Sequence, residues 1–128
     1  AFANAKPSAF PKPSQLEGYH PVLGKRLMSI SGITSIALSG MRAQTTRVGA
    51  IANNIANSST PGYTRLNTSL TSVVSGGVQA LVDPTASDVD PATELTDLID
   101  AEQSYKANAV VFETGADMWE MLMSIKRD

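Results

Sequence analysis

The chain contains no cysteine and a single histidine, His20. Without thiols there is no disulfide scaffold, no thiolate metal site and no cysteine nucleophile, and one imidazole leaves no cluster for a metal or a catalytic dyad. Aromatic residues make up 5% of the 128 and charged residues 17%, which is little for a soluble globular domain. No apolar run approaches the roughly 18 residues of a membrane span, so direct membrane insertion is not expected. Acidic residues are missing altogether from 28 to 82, where the only charges are Arg42, Arg47 and Arg65. Three arginines are too few to track a phosphate backbone, which excludes nucleic acid as a partner. The missing acids reappear beyond residue 82, where eleven stand against Lys106, Lys126 and Arg127. The small net charge of −2 therefore hides a basic first part and an acidic last third.

What is present is helical periodicity. Ile30, Ile33, Ala37, Met41, Gln44, Val48, Ile51 and Ile55 recur at steps of three and four, the stripe of an amphipathic helix expected over about 31–57. Ser58-Ser59-Thr60-Pro61-Gly62 ends it, because the residue before a proline is driven out of the α region and glycine permits a tight turn. A second helix is expected over about 91–127. Asp90 is its cap, Pro91 suits the first helical position, and Glu94 faces the positive end of the helix dipole. Leu95, Leu98, Glu102, Tyr105, Ala109, Phe112, Ala116, Trp119, Met123 and Lys126 then alternate strictly at three and four, a heptad seam of coiled-coil type.

Between the helices, an extended middle over 63–89 carries β-branched residues around Gly76-Gly77, which suggests two short strands joined at the glycine pair. Residues 1–27, interrupted by Pro7, Pro11, Pro13 and Pro21 and lacking an apolar core, read as a proline-rich mobile arm rather than a signal peptide, upstream of a domain over 28–128. The fold class expected is all-α: two long terminal helices in an antiparallel, coiled-coil-like hairpin with a short extended or β-hairpin middle. A second helix of this length measures roughly 55 Å, whereas a compact globule of 128 residues has a radius of gyration of about 14 Å. The expected seam residues are Ile33, Met41, Val48, Ile51, Ile55, Leu95, Leu98, Tyr105, Ala109, Phe112, Trp119 and Met123, and two helices touching along one line leave the flanks of the large ones wet. That favours self-assembly over a free monomer.

Enzymatic chemistry finds no foothold. Asp97, Asp100 and Glu113 have helical spacing, which places carboxylates on a solvated face. Asp83, Asp88 and Asp90 lack the ligand spacing of a calcium loop, and Gly76-Gly77 is followed by no lysine, so no metal, cofactor or catalytic residue is expected. One string resists a bland reading: ANNIANSSTPGYTR, Ala52 to Arg65. Asn53, Asn54 and Asn57 offer side-chain amides where the helix loses its own partners, and Pro61, Gly62 and Tyr63 redirect the chain.

SGITSIALSGMRAQTTRVGAIANNIANSSTPGYTR resembles the N-terminal signature of the bacterial flagellar axial proteins, the family of rod, hook and hook-filament junction subunits. ELTDLIDAEQSYKANAVVFETGADMWEMLMSIKR resembles the family's C-terminal helix, with Asp97, Leu98, Ile99, Ala101, Tyr105, Ala107, Asn108, Val111 and Thr114 in the matching places. The two segments cover more than half the chain in the right order. Only 66–90 separate them, a brevity most like a short proximal-rod protein. Residues 1–27 have no counterpart in the pattern, and the last residues differ from the usual distal-rod tail.

The resemblance implies a structural subunit of the basal-body rod, exported by the flagellar type III apparatus and assembled helically through its terminal helices. Its partners would be itself and other rod and hook-basal-body subunits, its place the periplasmic rod. The alternative is an adaptor or regulator of flagellar export that mimics an axial subunit without being incorporated. A small secreted effector of the tryptophan-x-glycine type is disfavoured, since Trp119 is followed by Glu120 and Met121.

Overall fold

A computed structural model describes residues 21–127, with side chains from residue 29 onward. Four elements follow in order: α1 (Pro21–Ala56), β1 (Leu66–Ser72), β2 (Val78–Pro84) and α2 (Pro91–Ile125). Helix α1 opens at Pro21 rather than at 31, so it runs through the composition shift at Met28. Pro21 is suited to a first turn, and Val22, Leu23, Lys25, Arg26 and Leu27 continue a helix with only Gly24 against them. Residues 1–20 of the expected arm lie outside the described residues. At 36 and 35 residues the helices are each about 50 Å long.

Helix α2 starts as its sequence dictates. Asp90 is extended (φ −104°, ψ 111°), and its carboxylate accepts from the Ala92 N–H at 3.3 Å and the Thr93 hydroxyl at 2.6 Å. At its other end the Lys126 N–H reaches the Leu122 carbonyl. The exit from α1 is a chain of tight turns. It closes with the Tyr63 N–H on the Thr60 carbonyl around Pro61-Gly62, with Gly62 at φ +74°, the pattern of a type II turn.

The helices run antiparallel, because Thr34 meets Gly115, Gly40 meets Asn108, and Arg47 meets Asp97. Their line of closest approach is built mostly from small and polar residues, with Ile30 and Ile51 the large ones. On α1 it buries Ile30, Ala37, Gln44 and Ile51 at intervals of seven, with Gly40 three residues after Ala37 and Asn54 three after Ile51; on α2 it buries Glu94, Ala101 and Gly115. This line lies one position toward the N-terminus of the α2 ridge read from sequence, which passed through Leu95, Glu102 and Ala116. The cause is steric. A Cβ on Gly40 would sit 2.6 to 2.7 Å from the Asn108 amide, and one on Gly115 only 2.4 Å from the Thr34 methyl. Backbones this close leave no room for Leu or Phe between them. Gln44 is buried in this seam, with its Oε1 accepting no hydrogen bond from any described residue.

The strands pair antiparallel from Leu66 opposite Pro84 to Ser72 opposite Val78, with the turn at Gly76-Gly77 as expected. The hairpin lies along a second face of α1, where Ser39, Ala43, Thr46 and Ala50 recur at steps of four, three and four. Ala43 and Ala50 are buried there. Thus α1 is the shared element: one face takes α2 and the adjacent face takes the hairpin. No helix among the described residues is long and apolar enough to cross a membrane.

Candidate functional site

Where α1 leaves the bundle, β1 begins and α2 starts, six polar side chains converge. Asn54 is fully buried and uses its whole hydrogen-bonding capacity. Its Nδ2 donates to the Leu66 carbonyl at 2.8 Å and to Glu94 Oε2 at 3.0 Å, while its Oδ1 accepts from the Leu66 N–H at 2.7 Å and from the Tyr63 hydroxyl at 3.0 Å. Leu66 thereby meets a side-chain amide where a strand would offer a backbone one. The orientation of the amide is fixed by chemistry, since the Leu66 N–H can only donate and the Glu94 carboxylate can only accept.

Glu94, on the first turn of α2, is also fully buried. Its other oxygen takes the Nε–H of Arg65, whose Nη2 lies 3.4 Å from Asp97 Oδ2; Arg47 Nη2 donates to Asp97 Oδ1 at 3.0 Å. Two arginines from the acid-free stretch are thus neutralised by two carboxylates of α2. A buried carboxylate is tolerable only with such partners, because desolvation costs several kcal/mol per ion. The Arg65 carbonyl in turn accepts from the Thr85 N–H at 2.7 Å and from its hydroxyl at 3.1 Å, tying the far end of β2 into the same knot. A second, smaller pin holds the hairpin tip: the Val78 N–H donates to Ser39 Oγ at 3.1 Å, and Ser39 donates on to the Ile36 carbonyl at 2.6 Å.

Of the helix-exit residues expected from sequence, the structure brings Asn54 and Tyr63 into this latch. Asn53 and Asn57 stay at the helix end, with the Asn57 amide donating to the Asn53 carbonyl at 2.9 Å, and Pro61 and Gly62 form the turn. Glu94, Arg65, Arg47 and Asp97 were absent from the expected site. From sequence, Glu94 is a dipole partner and Asp97 a solvated carboxylate; in the structure both are ion-pair partners of arginines. The one sequence signal toward them is the charge segregation, which leaves Arg47 and Arg65 no acid within their own stretch of 28–82; it does not say which arginines pair, since Arg42 of the same stretch makes no ion pair among the described residues.

The expected seam residues have a different fate. Ile51 is buried and Met41, Val48, Leu98 and Ala109 are half-buried, while Ile33, Ile55, Leu95, Tyr105, Phe112, Trp119 and Met123 flank the seam with much of their surface in solvent. Exposed apolar side chains stand at both ends, with Ile55, Leu95 and Ile99 near the connected one, and are most numerous toward the free end. Two apolar grooves lie beside Ile30 and Gly115: one of about 220 Å³ lined by Ile33, Val110, Val111 and Met118, the other of about 310 Å³ lined by Thr34, Phe112 and Trp119.

The sequence of this latched helical hairpin matches known families in both of its helices. Residues 35–64 match the family model described as flagella basal body rod protein, and residues 85–125 match the one described as flagellar basal body rod FlgEFG protein C-terminal. Together they cover more than half the chain and contain Asn54, Tyr63, Glu94 and Asp97. The flagellar hook protein FlgE of Brucella suis biovar 1 (strain 1330) is 49% identical over 41 residues, 32% of this chain and 10% of that protein. The FlgE of Rhizobium meliloti (strain 1021) is 45% identical over 42 residues, 33% of this chain and 10% of its own. The chain therefore spans about a tenth of the length of these curated relatives. This chain belongs to the flagellar axial family of rod and hook proteins, a family of structural basal-body components and not of enzymes.

Proposed function

We propose that this chain is a structural subunit of the flagellar basal-body rod. It is exported by the flagellar type III apparatus and assembles helically with itself and other axial subunits in the periplasmic rod. One observation carries the reading: apart from Ile30 and Ile51, the chain fills its own seam mostly with small and polar residues and leaves many of its large apolar ones exposed. Phe112, Trp119, Val110 and Met118 are each between about a third and two thirds exposed, and completing the burial of such side chains returns on the order of 1 kcal/mol apiece. The seven-residue recurrence of buried positions is the spacing of coiled-coil-like packing, which further helices from neighbouring subunits extend. A cysteine-free chain also suits export in an unfolded state, since no disulfide can trap it.

The test is mass spectrometry of basal bodies isolated from cells expressing the native protein. Stoichiometric recovery with the rod is the expected outcome. Recovery in the cytosol alone would replace this reading with that of an export adaptor mimicking an axial subunit.

A further inference from the structure

The free end of α2 is apolar over a broad face. Met118, Trp119, Met121, Leu122, Met123 and Ile125 fall within eight residues, and at 100° per residue they cover a little over half of the helix circumference, leaving a polar strip of Asp117, Glu120 and Ser124. Three of the five methionines of the chain lie here, 48%, 67% and 54% exposed at 118, 121 and 123, whereas Met41 is half-buried beside the seam. With no cysteine in the sequence, these thioethers are the most exposed sulfur among the described side chains. Met118 also lines the 220 Å³ groove, so its chemistry decides whether that groove is apolar or polar.

We propose that Met118, Met121 and Met123 form an oxidant-sensitive modification site whose substrate class is the hydroperoxides, and that its oxidation blocks association of the α2 end. The thioether sulfur attacks the distal peroxide oxygen. An S–O bond forms, the O–O bond breaks, and the proton goes to the leaving oxygen, so hydrogen peroxide yields methionine sulfoxide and water in a two-electron oxidation of sulfur. Each sulfoxide places a strong dipole on a surface whose partners are apolar, and an unpaired polar group buried in such an interface opposes burial. Sulfoxide reductases reverse the change, which makes it a switch rather than damage. The consequence for association rests on the assembly reading above; the selectivity of oxidation does not.

The experiment exposes the purified full chain to graded hydrogen peroxide and follows each methionine by peptide mass spectrometry, alongside sedimentation velocity. The expected result is oxidation at 118, 121 and 123 several-fold faster than at Met41. It should come with a shift from assemblies to monomer that methionine sulfoxide reductase reverses. A variant carrying Met118→Leu, Met121→Leu and Met123→Leu should keep its helical circular dichroism and assemble with or without peroxide. Equal oxidation of Met41, or undiminished assembly of protein oxidised at the three sites, would overturn the proposal. Untreated protein that never assembles, with the selectivity intact, would count against the assembly reading and would remove the switch while leaving the oxidation site.

Discussion

The two ends of the helical hairpin solve opposite problems. At the connected end, Asn54, Tyr63, Arg65, Arg47, Glu94 and Asp97 bury polar groups and satisfy them almost entirely within the chain. At the free end, Ile33, Ile36, Val110, Phe112, Trp119 and Met121 are apolar and unsatisfied, with wide surfaces in water. Buried polar networks give uniqueness of arrangement, because any slip strands a donor or a charge, whereas apolar surface gives affinity without direction. The chain therefore fixes its own geometry at one end and carries most of the exposed apolar surface of its helices at the other.

The sharpest way to break this division is at the latch. Asn54→Ala removes four hydrogen bonds and leaves the Leu66 backbone and the Glu94 carboxylate short of partners, so a loss on the order of 3 kcal/mol is expected in urea unfolding followed by circular dichroism. Gly40→Ala attacks the seam between the ends. The added methyl must displace the Asn108 amide, which donates to the Ser104 carbonyl at 2.9 Å, and about 1–3 kcal/mol of destabilisation should follow.

Asp90→Ala has a smaller effect and a pH signature. The Thr93 hydroxyl, and then the Ala92 N–H, hold the Asp90 carboxyl below its ordinary value of 3.8. A lowered folded value means the cap's contribution is present above 3.8 and fades as the pH falls through the folded value. Wild type and variant melting curves should accordingly differ at neutral pH and converge under strong acid. The smallest change in unfolding is expected from Val110→Ser combined with Met121→Ser, about 1 kcal/mol or less, since these side chains are already 61% and 67% exposed in the isolated chain. The same double variant should show the greatest loss in sedimentation assays of assembly, and a steep fall in stability there would mean that the free end is an internal core after all.

Much of the architecture was legible in the sequence because its signals are local. Asp90-Pro91 marks a helix start by capping chemistry, Pro61-Gly62 marks a turn by backbone sterics, and Gly76-Gly77 separates two β-branched runs. The seam was misplaced by one position on α2 for an instructive reason. Hydrophobic periodicity finds the ridge with the most apolar area, Leu95 to Trp119, while the line of closest backbone approach goes to residues that occupy least space, Ala37, Gly40, Ala101 and Gly115. Both ridges are real and one position apart; only contact with a partner tells which one is used within the chain. Glu94 and Asn54 were invisible as buried residues because burial of a polar side chain depends on partners 40 positions away in sequence, beyond any local pattern. The start of α1 at Pro21 is hidden in the sequence because the change in composition at Met28 mimics a boundary that the helix runs through.

The two pins on the hairpin carry a consequence of their own. Asn54 holds its base and Ser39 its tip, 15 positions apart on α1. At about 1.5 Å per helical residue that span is close to the roughly 20 Å of a seven-residue strand. Helix and hairpin are commensurate, and each pin grips β residues outside the Val73–Gly77 turn. The turn is thus a graft point: extra chain spliced between Val74 and Ser75 would grow outward from a mount that is already closed, leaving the helices and the latch beneath it undisturbed.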